Sequence, residues 1–146
     1  RISATIDFEH PRIGRCYGSY DVDAGFADEI ARARTFGFEA DVEELHGRGL
    51  ALGASLKNTI VLDGKDILND SLRFEDEFLR HKVGDIIGDL ALLSRRLDAH
   101  VLADRPSHEG NIELARAIQC RQPDFMSLSI EPTLGEKKPA RLFCRF

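Results

Sequence analysis

One segment of the chain carries side chains whose types and spacing suit metal chemistry. His81, Asp85 and Asp89 follow one another at intervals of four residues. Because each residue of an α-helix turns by about 100°, this spacing places an imidazole and two carboxylates on one stripe of a helix. A catalytic zinc ion takes three protein ligands and keeps a position for water, so His81 and Asp85 can supply two of the three. A solvated ion pair explains the same spacing, and both interpretations stay open at this point.

A long helix over about residues 74–93 must position this polar stripe. The helix opens on acidic residues and is followed by two arginines, which is the charge order that the helix dipole favours. Its other face is apolar and consists of Leu79, Val83, Ile86, Leu90 and Leu93. The pattern therefore predicts a helix with one side in the core and the other side available for ligands.

His108 begins a second predicted helix, over residues 108–120. Histidine exchanges a proton near neutral pH, and a carboxylate such as Asp89 commonly orients an imidazole of this kind. A structural role at the helix end is the simpler explanation for His108 taken alone. Lys82 and Arg105 would suit an anionic substrate, although solvation at the surface explains either of them equally well.

The order of the predicted elements indicates an α+β domain. Residues 2–8 alternate apolar and polar side chains, as a strand with one buried face does. Further strands over 17–22 and 100–103, with the helices above, predict a two-layer sandwich of helices on a mainly antiparallel sheet. We assign residues 1–120 to this domain. Residues 121–146 contain three prolines and are predicted to be a tail or linker, in which 140–146 has the pattern of a strand.

Residues 35–63 are predicted to form a small β-α-β insert in this domain. Residues 35–38 are short and extended, residues 42–46 are helical up to a glycine, and the β-branched run within 58–63 is a strand. From the pattern alone, Thr35, Phe36 and Phe38 are most simply core and turn residues.

Composition limits the classes of function that the chain can have. It has 146 residues, 42% of them hydrophobic and 31% charged, which is the balance of one globular domain. A net charge of -5 argues against nucleic-acid binding, and no apolar run approaches the ~20 residues of a membrane span. Three widely spaced cysteines favour a reducing, cytosolic setting. The chain begins at Arg1 directly in a strand, so we expect a further segment to precede it.

Four motifs, in order and near the expected spacing, resemble those of the UDP-3-O-acyl-N-acetylglucosamine deacetylases. They are RARTFGF at 32–38, RGLALG at 48–53, LRFEDEF at 72–78 and HKVGDIIGDL at 81–90. IDFEHPRIG at 6–14 also resembles the opening of that family's second domain, and the resemblance covers about residues 2–120. Members of this family are zinc amidases that commit bacteria to lipid A synthesis. They have two similar α+β domains with the active site between them, and this chain resembles the C-terminal one.

The resemblance implies roles for the residues of the polar stripe and its surroundings. His81 and Asp85 would be zinc ligands. His108 would stabilise the developing oxyanion and assist the leaving amine, while Asp89 would hold that histidine. Thr35 would hydrogen-bond the reacting carbonyl oxygen.

The resemblance also implies where the substrate binds. Lys82 and Arg105 would lie near the sugar nucleotide and its diphosphate, and Phe36 and Phe38 would contact substrate. The insert would form a hydrophobic passage for the acyl chain, with candidate lining residues Val42, Leu45, Leu50, Ala51, Thr59 and Val61. The implied reaction is hydrolysis of the N-acetyl group of UDP-3-O-acyl-N-acetylglucosamine in the cytoplasm.

Several features of the chain depart from the family pattern. The family's third zinc ligand, a histidine, and its general base, a glutamate, belong to an N-terminal domain that this chain does not contain. Ser107 stands where glycine is usual, Gly84 where a larger apolar residue is usual, and Arg105 where lysine is common. We therefore expect this chain alone to bind zinc weakly and to lack deacetylase activity.

Two other functions remain open from the sequence. The chain could be a free-standing binding or assembly module that keeps the fold without catalysis. It could also be a different amidohydrolase that completes its own zinc site with His108 or His10.

Overall fold

A five-stranded sheet forms one layer of the molecule. The structure, a computed structural model, describes residues 1–120, 127–130 and 141–145, the last two ranges by their backbone. The strands are β1 (Ile2–Phe8), β2 (Gly14–Tyr20), β5 (His100–Asp104), β6 (Ser127–Ile130) and β7 (Arg141–Arg145), in the order β2-β1-β5-β7-β6. Strand β1 is parallel to β5, and the other three neighbouring pairs are antiparallel. The prediction of a mainly antiparallel sheet is confirmed.

Two helices form the second layer and close the core against this sheet. Helix α3 (Glu77–Leu90) runs into a 3-10 turn over Ala91–Leu93, and α4 (His108–Cys120) packs beside it. A shorter segment, α1 (Val22–Gly25) followed by a π-helical turn (Phe26–Ile30), contacts α3. The predicted apolar face of α3 is buried at Leu79, Val83, Ile86 and Leu90. The α+β sandwich is therefore confirmed.

The insert consists of a separate two-stranded sheet and one short helix. Strands β3 (Thr35–Phe38) and β4 (Thr59–Leu62) pair in parallel, and α2 (Val42–Gly47) lies between them in the chain. On β4 the side chains alternate. Ile60 and Leu62 are fully buried in the main core, whereas Thr59 and Val61 face the other side and are only partly buried. The predicted β-α-β arrangement is present over these residues.

The C-terminal residues contribute two strands to the main sheet. Strand β7 pairs with β5 from His100↔Arg145 to Asp104↔Arg141, and β6 pairs with β7. The strand predicted over 140–146 corresponds to β7. The rest of the predicted tail lies outside the described residues, so a domain boundary at residue 120 stays a prediction. Within the described residues, no helix has the length and apolar character needed to cross a membrane.

A buried ion pair joins the start of α3 to the chain just before the insert. The Glu77 side chain is fully buried and accepts hydrogen bonds from Arg34 Nε at 2.9 Å and Arg34 Nη2 at 3.1 Å. The amides of Arg34 and Arg73 donate to the same carboxylate at 2.9 and 2.6 Å. The Arg34 side chain also donates to the carbonyl of Ser71. These bonds explain why regular helix begins at Glu77 and not near residue 74, because the preceding turn wraps the carboxylate.

The first prediction concerns this ion pair. Glu77→Gln should lower the free energy of unfolding at neutral pH by about 3–5 kcal/mol, since it leaves the buried Arg34 charge without its counter-ion. Urea unfolding followed by circular dichroism measures the change. Glu75→Gln, the same substitution at an exposed position of the same turn, should change it by less than about 0.5 kcal/mol. Equal effects of the two substitutions would contradict the assignment.

The same carboxylate gives stability a pH dependence. Burial by itself raises the pKa of Glu77, but the hydrogen bonds from Arg34 and Arg73 and the charge of Arg34 outweigh it and lower the pKa below its ordinary 4.5. The stabilisation is therefore fully present above pH 4.5 and is lost as the pH falls through the lowered pKa of the folded protein. The Glu77→Gln protein should lack this component of acid destabilisation.

Candidate metal and substrate site

The polar stripe of α3 brings an imidazole and a carboxylate together, one turn apart. His81 Nε2 lies 3.4 Å from Asp85 Oδ1, and the two side chains are 22% and 12% exposed. The other carboxylate oxygen, Asp85 Oδ2, accepts a hydrogen bond from Lys82 Nζ at 2.8 Å. Lys82 thus occupies one oxygen and leaves Oδ1 directed at the imidazole. The two predicted metal ligands therefore point toward each other and not into the core.

The environment of His81 favours the neutral imidazole that metals bind. Burial lowers the pKa of His81 below its ordinary 6.5, and the charges of Lys82 and His108 lower it further. Asp85 and a hydrogen bond to the backbone of Ala33 act in the opposite direction without reversing the shift. A backbone acceptor on one ring nitrogen commonly directs the other nitrogen to a metal. This pair of donors therefore fits two positions of a zinc site, and the described residues include no group of three such donors.

Asp89 connects the stripe on α3 to the first turn of α4. His108 Nδ1 donates to Asp89 Oδ2 at 2.8 Å, as the sequence predicted for an imidazole oriented by this carboxylate. The other nitrogen, His108 Nε2, lies 3.9 Å from Asp85 Oδ2. His108 is 65% exposed at its side chain, so Nε2 is accessible beside the His81–Asp85 pair. Ser107 caps this helix, because its hydroxyl accepts a hydrogen bond from the amide of Gly110 at 3.1 Å.

Sequence reasoning missed Asn111 as a member of this group. Its side chain is fully buried, and its Nδ2 donates to Asp89 Oδ2 at 2.8 Å. The available signal was its position three residues after His108, which places both side chains on one face of α4.

Aromatic rings connect the imidazole of His81 to the insert. The Phe36 ring contacts His81 edge-on with ring centroids 6.0 Å apart, and it contacts Phe78 and Phe8 at 5.1 and 5.2 Å. Thr35 immediately precedes Phe36 on β3 and is exposed. The Phe36 ring therefore connects the His81–Asp85 pair to the insert.

A cavity of about 490 Å³ lies in the insert. Eight residues singled out in the sequence line it: Thr35, Phe36, Phe38, Val42, Leu45, Ala51, Thr59 and Val61. Leu50 is not among its lining residues, and 47% of Leu50 is exposed. The structure adds the lining residues Gly37, Gly53, Ala54 and Asn58, most of which are too small to stand out in a hydrophobic pattern.

Arg105 lies on the short connection between β5 and α4, three residues before His108. Its backbone has a φ of 51°, its amide donates to the carbonyl of Thr5 at 2.7 Å, and its Nη2 donates to Asp104 Oδ2 at 3.1 Å. Arg105 Nε is buried and has no hydrogen-bond partner among the described residues. Arg105 is thus close to His108 in the sequence, and its contact with a diphosphate stays a prediction.

His10 is not available as a metal ligand. It is buried at the base of the insert, where Nε2 donates to the carbonyl of Asp63 at 2.8 Å and Nδ1 accepts from the amide of Arg12 at 3.2 Å. Both ring nitrogens are engaged, so of the two histidines considered for a self-contained zinc site only His108 remains near Asp85.

Comparison with known proteins identifies relatives over nearly the whole chain. The model of the UDP-3-O-acyl N-acetylglycosamine deacetylase family matches residues 1–120. A UDP-3-O-acyl-N-acetylglucosamine deacetylase of Myxococcus xanthus is 54% identical over 146 residues, which cover 97% of this chain and 42% of that protein. Enzymes of the same name from Oleidesulfovibrio alaskensis and Histophilus somni are 52% and 44% identical, covering 81% and 98% of this chain.

The chain spans about half or less of the length of these relatives, since it covers 39% of the Oleidesulfovibrio protein and 50% of the Histophilus protein. The match nevertheless includes the insert, the whole polar stripe and the first turn of α4. The chain belongs to the UDP-3-O-acyl N-acetylglycosamine deacetylase family.

Proposed function

We propose that this chain is the C-terminal half of a zinc-dependent deacetylase that acts on UDP-3-O-acyl-N-acetylglucosamine in lipid A synthesis. The proposed reaction hydrolyses the N-acetyl group, releasing acetate and leaving a free amine. The observation that carries the proposal is the position of Phe36, whose ring contacts His81 and also lines the insert cavity. One molecule can therefore have its acyl chain in the cavity and its amide beside the His81–Asp85 pair.

His81 and Asp85 would hold the zinc ion through Nε2 and Oδ1. When bound, such an ion lowers the pKa of its water to about 7 and polarises the carbonyl that is attacked. Zinc sites of this kind use three protein ligands, so a third ligand must come from elsewhere. We propose that this ligand, a histidine, and the general base, a glutamate, belong to an N-terminal domain.

His108 would protonate the departing nitrogen. Its Nδ1–H is committed to Asp89, so the proton to be transferred resides on Nε2, the atom that lies beside Asp85. Donation from Nε2 to the amine allows the C–N bond to break without forming an amide anion. The hydroxyl of Thr35, exposed at the start of β3, would donate to the carbonyl oxygen as negative charge develops there.

The remaining predicted residues would bind the parts of the substrate that do not react. Lys82 and Arg105 would bind the diphosphate, since each cation has one carboxylate neighbour and keeps further ammonium or guanidinium donors. Phe36 and Phe38, which line the cavity, would contact substrate. We place the reaction in the cytoplasm, which agrees with the free thiols of Cys16 and Cys120.

The second prediction tests the metal and the division into two domains. A protein that carries an N-terminal deacetylase domain before residues 1–146 should bind one zinc ion and deacetylate the substrate, with activity removed by a chelator and restored by zinc. Residues 1–146 alone should bind zinc weakly and be inactive. Zinc analysis and acetate release measure both properties. Full activity of residues 1–146 alone would refute the proposed division, and a joined protein without zinc or activity would favour a binding module.

Substitutions in the joined protein separate the ligand from the proton donor. His81→Ala should remove zinc and activity together. His108→Gln should keep zinc and lower kcat by about 10²- to 10⁴-fold, the range for loss of a general acid. His46→Ala, at an exposed histidine of α2, is the matched control and should change neither property. Loss of zinc from the His108→Gln protein would show instead that His108 is a ligand.

The third prediction tests the role of the insert cavity. Val61→Phe places an aromatic ring on the cavity wall and should lower kcat/KM by about 10-fold or more for a substrate with a long 3-O-acyl chain. An analogue with a short acyl chain should keep its kcat/KM. Leu52→Phe adds the same ring at a residue that is 72% exposed and does not line the cavity, so it should change neither value. Equal losses for both chain lengths would contradict a passage for the acyl chain.

A further inference from the structure

We infer that Asn111 is a positioning residue, which holds Asp89 so that Asp89 in turn fixes the direction of the His108 ring. The inference rests on the proposed function, because it assigns a role in delivering the proton from His108. It concerns a side chain whose hydrogen bond goes to Asp89, which is not one of the proposed zinc ligands.

The geometry places two donors on one carboxylate oxygen. Asp89 Oδ2 accepts from His108 Nδ1 and from Asn111 Nδ2, each at 2.8 Å. His108 and Asn111 lie on one face of α4 in successive turns, and Asp89 lies on α3. The amide therefore ties the carboxylate to the same helix that carries the histidine, and the three groups form a closed arrangement across the two helices.

Only one end of the Asn111 amide has a partner among the described residues. Its side chain has no exposed surface, and Oδ1 is buried without a hydrogen bond there. A flipped amide would direct Oδ1 at the Asp89 carboxylate, where two acceptors would repel each other. A buried polar group with an unsatisfied atom is unfavourable for stability, so a purely structural role would be filled better by an apolar side chain of similar size. The feature that only asparagine supplies is the Nδ2 donor to Asp89.

The consequence for His108 follows from its exposure. With 65% of its side chain exposed, His108 has few contacts that restrict its ring, whereas Asp89 is 16% exposed. If Asp89 had only the histidine as a donor, carboxylate and imidazole could rotate together. The bond from Asn111 removes that freedom and keeps His108 Nε2 directed toward Asp85.

The test compares two substitutions in the joined protein. Asn111→Leu keeps the side-chain volume and removes the donor, and Asn111→Ala leaves space in which a water molecule can donate to Asp89. We expect kcat to fall by about 10- to 100-fold for Asn111→Leu, and by less for Asn111→Ala, with KM and zinc content unchanged. The midpoint of thermal unfolding should fall further for Asn111→Ala than for Asn111→Leu, because only alanine leaves a cavity.

A role in packing alone predicts that alanine is the more damaging substitution for both stability and kcat, and that result would overturn the inference. Leu114→Ala, one turn further along α4 and also fully buried, is the packing control. It should lower the unfolding midpoint without lowering kcat of the folded enzyme.

A spectroscopic measurement separates failure of this inference from failure of the proposed function. Long-range ¹H–¹⁵N correlations of His108, at a pH high enough for the imidazole to be neutral, report which nitrogen carries the proton. The unsubstituted protein should hold the Nδ1–H tautomer, and both Asn111 substitutions should lower its fraction. Unchanged tautomer fractions would overturn the inference even if the enzyme is active. An inactive unsubstituted protein would refute the proposed function, while the tautomer result would still decide the role of Asn111. If Asn111→Leu does not fold, the Asn111→Ala spectrum decides alone.

Discussion

The buried carboxylate of Glu77 is the constraint on which the geometry of this domain depends. A charge removed from water is tolerated only when donors surround it, and here the Arg34 guanidinium and two backbone amides do so. These bonds hold the start of α3 against the segment that enters the insert. His81 lies one turn after Glu77, and Phe36 lies two residues after Arg34. The ion pair thereby fixes the distance between the imidazole and the cavity.

The carboxylates of Asp85 and Asp89 on the polar stripe are also held by neighbouring side chains. Asp85 is shared by Lys82 and the imidazole of His81, and Asp89 is shared by His108 and Asn111. In the proposed enzyme, His81 and His108 take part in the reaction, while the hydrogen bonds from Lys82 and Asn111 restrain the two carboxylates. Groups held in this manner need little reorganisation when charge develops nearby, which is how preorganised sites lower a barrier.

The sequence predicted what depends on periodicity within one element. The stripe follows from helix geometry, and the sandwich and the insert follow from alternation and from β-branched runs. The spacing of His108 and Asn111 on α4 places the two side chains on one face, but it does not indicate the contact of Asn111 with Asp89, because that contact joins two helices. The family resemblance implied Leu50 as a candidate lining residue, yet Leu50 is not among the residues that line the cavity. The loop there contains Gly49 and Ala51 at φ of 72° and 56°, and such left-handed turns redirect side chains without a periodic signal.

The two faces of α3 separate the core of the domain from the proposed zinc site. The face with Leu79, Val83 and Ile86 is fully buried within the described residues, so the core does not require the polar stripe to be liganded. The opposite face presents two donors at 3.4 Å, fewer than the three that a catalytic zinc ion takes. Folding and completion of the site therefore depend on different surfaces of one helix. In the proposed enzyme the second surface gains its function only when another domain supplies the remaining groups.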